Sequence, residues 1–193
     1  VIASGCVKPE DADKIVPFID IKLKGGRILK SQLIILDILA NNNWTRPIYF
    51  VTGYHDDAFG LEEYFQLEGL AFRLVPIKSE NKNWLEYGRV DADILYENMM
   101  NKFVWGGAKE KGVNIDYNHK RTLMVIKSRL NYARLAKALS EKGKDDQALR
   151  VLDYCMENLP LDKVPYDPYM ADVIEGYFIA GGSAKALEMT DAF

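Results

Sequence analysis

The centre of the sequence combines an apolar helical pattern, two short apolar strand patterns and a polar loop. The helical pattern begins near Ser31, a residue type that caps helix N-termini, and ends at the asparagine run 41–43. The continuous apolar run 48–51 predicts a central strand that is covered on both faces. A short helix at 61–67 and a strand at 70–77 are expected to follow. This order predicts a small, at least partly parallel α/β unit.

A further strand is predicted before this central stretch. Ile19, Ile21 and Leu23 alternate with charged residues, which is the period of a half-buried strand. The strand is expected to begin near Ile15 and to open the α/β unit.

Helical hairpins are predicted for the second half of the chain. Small and apolar residues recur over 135–160 at the spacing of a tetratricopeptide repeat, in which Gly143 would end the first helix. A looser copy follows at 174–187. The predicted fold class is α/β plus α, a small partly parallel α/β unit followed by tetratricopeptide-like helical hairpins. The predicted segments are a lead-in at 1–14, an α/β unit with a closing helix at 15–107 and a tetratricopeptide-like region at 108–193.

Charge and hydropathy exclude two kinds of partner. The chain has 25 Lys and Arg against 28 Asp and Glu, and its basic residues form no block, so no nucleic-acid partner is predicted. The sequence contains no run of about 18 apolar residues, so no direct membrane span is predicted either. The chain begins with Val1 and stops within a helical pattern, and we interpret it as a piece of a longer protein.

The two cysteines, Cys6 and Cys155, have neither the spacing of a disulfide framework nor that of metal ligands. Cys155 lies in an apolar helical pattern and is expected to be a buried free thiol. The sequence leaves open whether the two cysteines pair.

One loop carries polar groups suited to chemistry. His55, Asp56 and Asp57 follow the predicted strand 48–51, and open α/β sheets bind ligands at the carboxyl ends of their strands. A histidine beside carboxylates can hold a general base or bind a divalent metal. Three adjacent residues do not converge easily on one ion, however, so the sequence favours a solvated turn and predicts no metal and no cofactor.

Several blocks of the sequence together resemble one family. They are ILDILANNNWTRPIYF, LEEYFQLEGLAFRLVPIK, YENMMNKFVWGG, RLAKALSEKGKDDQALRVLDYCMENLP and VPYD. The blocks resemble the carboxy-terminal part of a bacterial multi-pass membrane family. That family is itself similar to protein O-mannosyltransferases, glycosyltransferases of the GT-C membrane type that use lipid-linked sugars. The resemblance covers nearly the whole chain from about Val7.

The resemblance implies a function without catalysis in this chain. In the family, the catalytic acidic residue and the donor site lie in an amino-terminal membrane portion that this sequence does not contain. The chain is therefore expected to be a non-catalytic accessory domain on the extracytoplasmic, or periplasmic, side. Its expected partners are its own amino-terminal membrane domain and an acceptor protein or peptide. The residues expected to matter are Trp44, Arg46, Pro47, Tyr49, Tyr64, Gln66, Glu68, Gly69 and Arg73.

Two alternatives stay open at this point. The chain could be a purely structural tail whose helical repeats pack only on each other. It could also be a small stand-alone enzyme that uses the loop His55-Asp56-Asp57 with a nearby carboxylate. The two arginines of the central blocks, Arg46 and Arg73, are expected to pair with carboxylates, which favours a structural role for them.

Overall fold

A computed structural model of the protein describes residues 1–23, 27–51, 58–80, 86–120 and 127–192. The chain divides into two compact units, Val1–Arg89 and Val90–Phe193. The first unit contains a small sheet with helical segments, and the second is helical. This agrees with the predicted fold class of α/β plus α. The division lies before the predicted domain boundary at residue 107.

The first unit is built from short elements. In chain order, they are a 3₁₀ helix at Pro9–Lys14, α1 at Lys30–Asn41, β1 at Tyr49–Phe50, a 3₁₀ helix at Leu61–Tyr64, β2 at Phe65–Leu67 and β3 at Phe72–Leu74. A fourth strand, β4 at Arg89–Val90, lies at the boundary between the units. The segment predicted as a lead-in packs within this unit, where Cys6 and Val7 are buried. In the same segment, Asp11 Oδ2 lies 2.6 Å from Arg89 Nη2.

The sheet has the strand order β1-β3-β2-β4. β3 pairs antiparallel with both β1 and β2, so that Arg73 lies opposite Tyr49 on one side and Gln66 on the other. Directly opposed residues of neighbouring strands point to the same face. Tyr49, Arg73 and Gln66 therefore form one row across three strands, and Phe50, Phe72 and Leu67 form the next.

Aromatic rings form the core beside this sheet. The ring centroid of Phe65 lies 4.7 Å from that of Phe50 and 5.7 Å from that of Phe72. Tyr87 adds a ring 4.6 Å from Phe72. Aromatic pairs at these separations contribute packing energy beyond the area they bury. This cluster holds short strands together that would be marginal on their own.

Four local predictions for this unit are wrong. The run 48–51 forms an edge strand, where Tyr49 and Val51 are 46% and 60% exposed. The strand expected from Ile15 is reduced to a single antiparallel bridge between Ile15 and Ile77. The helix expected at 61–67 is a 3₁₀ turn followed by β2, because its second half pairs with β3. Helix α1 starts before Ser31, and Gln32 Oε1 accepts from the backbone N–H of Leu29 at 2.9 Å.

The second unit is formed by helices. They are α2 at Ala92–Tyr96, a π-helical stretch at Glu97–Lys102, α3 at Leu130–Ser140, α4 at Asp145–Asn158, α5 at Met170–Ile179 and α6 at Ser183–Ala192. Buried small residues lie where the helices pack, among them Ala136, Ala148 and Ala186. Gly143 has a φ of +70° between α3 and α4, a conformation that glycine adopts without steric cost. The predicted helical hairpins are thus present.

Arg129 ties the α4–α5 connection to the start of α3. Its side chain is fully buried and pairs with the carboxylate of Asp167. It also donates to the carbonyl oxygens of Val164 and, at 2.8 Å, Pro165. Asp167 in turn accepts from the backbone N–H of Tyr169 at 2.8 Å, just before α5. One buried guanidinium therefore organises the whole connection.

Both cysteines are buried free thiols, as predicted for Cys155. Complete burial raises the pKa of the Cys155 thiol to about 12. In the described part of the chain, no helix has the length and apolar character needed to cross a membrane.

Candidate functional site

A polar network centred on the buried Glu68 joins three strands of the first unit. The Tyr49 hydroxyl donates to Glu68 Oε2 at 2.6 Å, and Gln66 Nε2 donates to Glu68 Oε1 at 2.8 Å. Arg73 Nη1 lies 3.7 Å from the same Oε1. Glu68 is 8% exposed and Gln66 is 5% exposed. The resemblance singled out all four residues, and the structure brings them together.

The register of the sheet explains this convergence. Tyr49, Arg73 and Gln66 share one row, and Glu68 follows directly at the end of β2. The backbone N–H of Glu68 donates to the carbonyl of Ala71 at 3.2 Å, which closes a tight turn between β2 and β3. Gly69 begins this turn with a φ of +138°, which glycine tolerates because it has no Cβ. The carboxylate is thereby held beside the row of donors.

The network changes the acidity of the Tyr49 hydroxyl. Burial, together with its hydrogen bond to Glu68 and the negative charge there, raises the pKa of Tyr49 to about 12, although the Arg73 charge opposes this shift. Burial also raises the pKa of the Cys6 thiol, again against the Arg73 charge. Tyr49 thus acts as a neutral donor to a carboxylate at physiological pH.

This shift predicts a pH dependence of stability. Between pH 10 and about 12 the unfolded chain would ionise Tyr49 while the folded protein keeps it protonated, so the free energy of unfolding falls as pH rises through that window. We expect Tyr49→Phe to make this fall shallower. Urea unfolding measured at intervals from pH 9 to 12 tests it, with the exposed Tyr117→Phe as the control. A slope equal to that of the control would contradict the coupling.

The other predicted residues have separate positions. Trp44 is partly buried and packs against two core clusters, whereas Tyr64 is 2% exposed and its hydroxyl accepts from the backbone N–H of Asp20 at 3.3 Å. Arg46 is exposed, and among the described residues its guanidinium has no carboxylate within ion-pair distance. The ion pair predicted for Arg73 is present, and the one predicted for Arg46 is absent from this part of the chain. His55, Asp56 and Asp57 lie outside the described residues.

The Glu68 network has the character of a structural ion pair, in which the carboxylate is well supplied with donors while Arg73 Nε is buried without a hydrogen-bond partner in the ranges that the structure describes. Its carboxylate accepts from two side chains and faces a guanidinium, an arrangement that leaves it little freedom to act as a base. No group of three or more His, Cys, Asp or Glu side chains suited to a metal ion occurs within the described ranges. Whether any of these residues binds a partner stays a prediction.

The sequence did not predict a cavity that the first unit contains. It has a volume of about 410 Å³ and lies between α1 and the extended segment 15–21. Most of its lining is apolar and includes Val16, Phe18, Ile21, Leu36, Ala40 and Trp44. In the sequence these apolar residues have the pattern of ordinary core residues, so no local signal distinguishes residues that line a cavity from residues that fill a core.

One wall of this cavity has an unusual backbone. Asn43 and Trp44 have φ values of +51° and +59°, a left-handed conformation that is costly for a bulky residue such as tryptophan. The strain persists because the Trp44 side chain is packed against two core clusters. The packing of Trp44 therefore fixes the shape of this wall.

Helix α1 presents apolar side chains to solvent. None of its twelve residues is buried, and Leu33, Ile34 and Ile38 are 53%, 54% and 50% exposed. Its other side supplies Ile35 and Leu39 to the core. We call Ile34 and Ile38, which lie one helical turn apart and are each about half exposed, the outer α1 face.

Residues 1–94 match the family model described as TMEM260-associated domain 2. The matched range contains the whole first unit and just under half of the 193-residue chain. No curated protein and no solved structure matches the chain. The match supports an association of the first unit with a membrane-protein family. It does not extend to a bacterial origin or to tetratricopeptide repeats.

Proposed function

We propose that this chain is a non-catalytic accessory domain of a membrane glycosyltransferase-like protein, and that it docks on the membrane-embedded part through the outer α1 face. The family match supports the association, because TMEM260 is described as an O-mannosyltransferase-like membrane protein. We place the domain on the extracytoplasmic side on the basis of the sequence resemblance alone. Sugar transfer or hydrolysis by the isolated chain would contradict the proposal.

The exposure of the outer α1 face carries the docking proposal. Ile34 and Ile38 each leave about half of their surface in water although they belong to a helix of the matched unit. Burying a whole isoleucine side chain contributes about 1.5–3 kcal/mol. Burying the exposed halves of Ile34 and Ile38 together is therefore expected to contribute about 1.5–3 kcal/mol to binding. Two half-exposed isoleucine side chains suit an apolar protein surface better than a carbohydrate.

The experiment compares capture by a membrane partner. The purified chain is mixed with the detergent-solubilised membrane region of a TMEM260-type protein, and the bound fraction is measured as a function of concentration. We expect the double variant Ile34→Asp with Ile38→Asp to weaken capture at least tenfold, because two charges would have to be buried without partners. Unchanged capture by this variant would rule out docking through α1.

The matched control uses the second unit. Phe178→Asp replaces another exposed apolar residue, 43% exposed on α5, by the same charged side chain. We expect it to leave capture unchanged within about twofold, as surface substitutions do away from an interface. Far-UV circular dichroism of all variants establishes that the helices are retained.

A second candidate function is that the helical hairpins bind an acceptor polypeptide. The observation that favours it is the exposure of Phe178, Ile179 and Leu187 on α5 and α6. Helical repeats commonly bind partners along such surfaces. If Phe178→Asp abolishes capture of an unfolded acceptor polypeptide while the α1 double variant does not, this function is supported and α1 serves another purpose. The predicted tetratricopeptide character of the region belongs to this candidate.

A further inference from the structure

We propose that the cavity beside α1 binds a single aliphatic hydrocarbon chain, the acyl chain of a lipid. The cavity is distinct from the outer α1 face, so this inference does not rest on the docking proposal. Its volume of about 410 Å³ falls within the range of small-molecule sites, roughly 300–1,000 Å³. The volume is therefore sufficient for part of a lipid chain but small for a whole lipid.

The chemistry of the lining selects the ligand class. Among the described residues that line the cavity no side chain is charged, and the polar side-chain groups are the amides of Asn42 and Asn43 and the indole N–H of Trp44; the α-amino group of Val1 lies at the lining as well. A sugar or nucleotide would lose hydrogen bonds to water here without finding replacements, and each buried polar group left unpaired is costly. A hydrocarbon chain has no hydrogen bonds to water to lose on entry, and it gains from every methylene that leaves water.

The backbone of the wall argues against a peptide as the occupant. A bound peptide segment needs partners for its own N–H and C=O groups, usually from the edge of a strand. In the wall formed by 15–21, Pro17 has no N–H, and the N–H of Val16 already donates to the carbonyl of Pro76 at 2.9 Å. The N–H of Asp20 donates to the Tyr64 hydroxyl. These three positions of the wall therefore offer no N–H to a bound peptide.

An apolar path leads from the cavity to the surface along α1. Leu36 and Ala40 line the cavity, and Leu33 lies one turn before Leu36 on the same side of the helix. Leu29, just before the helix, precedes Leu33 by another turn. Leu29 and Leu33 are 50% and 53% exposed. A chain longer than the cavity would continue along this path, beside which the exposed Asp37 lies one turn after Leu33.

The opposite end of the cavity is closed by the core. Leu61 and Leu74 belong both to the lining and to the buried cluster around Phe65. Together with the fixed left-handed wall at Asn43 and Trp44, they set a limit to how far a chain can enter. An apolar cavity of limited depth predicts that affinity rises with chain length and then levels off.

The test uses the full chain and cis-parinaric acid, a fluorescent fatty acid, followed by competition with octanoate, laurate and palmitate. We expect saturable binding of one probe per chain. Affinity is expected to rise tenfold or more from octanoate to laurate, and to rise much less from laurate to palmitate. Lack of saturation, or competition by N-acetyl-leucinamide as strong as that by laurate, would overturn the proposal.

Two matched variants locate the site. Ala40→Phe adds a ring to an exposed position of the lining, and Ile34→Phe adds one to the outer α1 face. We expect Ala40→Phe to weaken probe binding about tenfold by excluding roughly two methylenes, and Ile34→Phe to change it less than twofold. Equal effects of the two variants would assign binding to the helix surface and overturn the cavity proposal. If Ala40→Phe fails to fold, the chain-length series on the unaltered protein still decides.

Discussion

Replacing Arg129 by alanine is expected to lower the free energy of unfolding of the second unit by about 3–5 kcal/mol. The substitution removes a fully buried guanidinium and leaves the carboxylate of Asp167 without its cation. It also leaves the carbonyl groups of Val164 and Pro165 without their donor. Breaking one side of a buried ion pair is among the most destabilising single changes, because the remaining charge stays away from water.

The effect should spread from the connection to the helix that follows it. Asp167 accepts from the N–H of Tyr169, and its carbonyl accepts from the N–H of Met170 at 2.9 Å, so it holds the first turn of α5. Once Asp167 is released, this turn is expected to fray. The substitution should therefore increase the rate of amide hydrogen exchange more at the start of α5 than in α4.

An exposed arginine of the same unit provides the control. Arg150→Ala removes the same side chain from the surface of α4 and is expected to change the free energy of unfolding by about 0.5 kcal/mol or less. Urea unfolding followed by far-UV circular dichroism, with hydrogen exchange to localise the loss, compares the two variants. A difference between them below about 1 kcal/mol would show that the buried pair contributes little net stability.

The helices of the second unit were predictable because their signals are local. Apolar residues recur at helical spacing in α3 and α4, and Gly143 marks the break between them. In a helix, each apolar residue has its neighbour on the same face three or four positions along the chain, so the spacing of apolar residues is enough to predict the helix. Arg129 gave no such signal, since its partners Val164 and Asp167 lie more than thirty residues further along the chain.

The sheet was less predictable because its strands are only two or three residues long. Such strands depend on pairing with distant segments, and local composition does not specify the partner. Leu61, Tyr64 and Phe65 have the spacing of a helical face, yet the chain extends at Phe65 to pair with Leu74. Likewise, the apolar run at 48–51 predicted burial on both faces, but pairing only with β3 leaves Tyr49 at the edge.

The candidate site was predictable in its members but not in its geometry. The resemblance singled out Tyr49, Gln66, Glu68 and Arg73, whereas only the antiparallel register places them in contact. The cavity could not be predicted at all. Most of its lining comes from two segments, 15–21 and 36–48, and Leu61, Leu74 and Pro76 add to it; apolar residues have the same pattern whether they fill a core or border a space.

Replacing Glu68 by alanine is expected to lower the free energy of unfolding of the first unit by about 3 kcal/mol. Arg73, whose side chain is 15% exposed, would lose its counter-charge, and the donors of Tyr49 and Gln66 would lose their acceptor. Because these residues belong to β1, β2 and β3, one carboxylate connects all three strands. The loss is therefore expected to loosen the sheet as a whole.

Two further variants separate the charge of Glu68 from its shape. Glu80→Ala removes an exposed glutamate from the same unit and should change stability by about 0.5 kcal/mol or less. Glu68→Gln keeps an acceptor oxygen for Tyr49 but removes the charge that faces Arg73, so we expect an intermediate loss. If Glu68→Gln is as stable as the unaltered protein, hydrogen bonding alone maintains the network and the ion pair adds nothing. If it is as unstable as Glu68→Ala, the charge opposite Arg73 holds the three strands together.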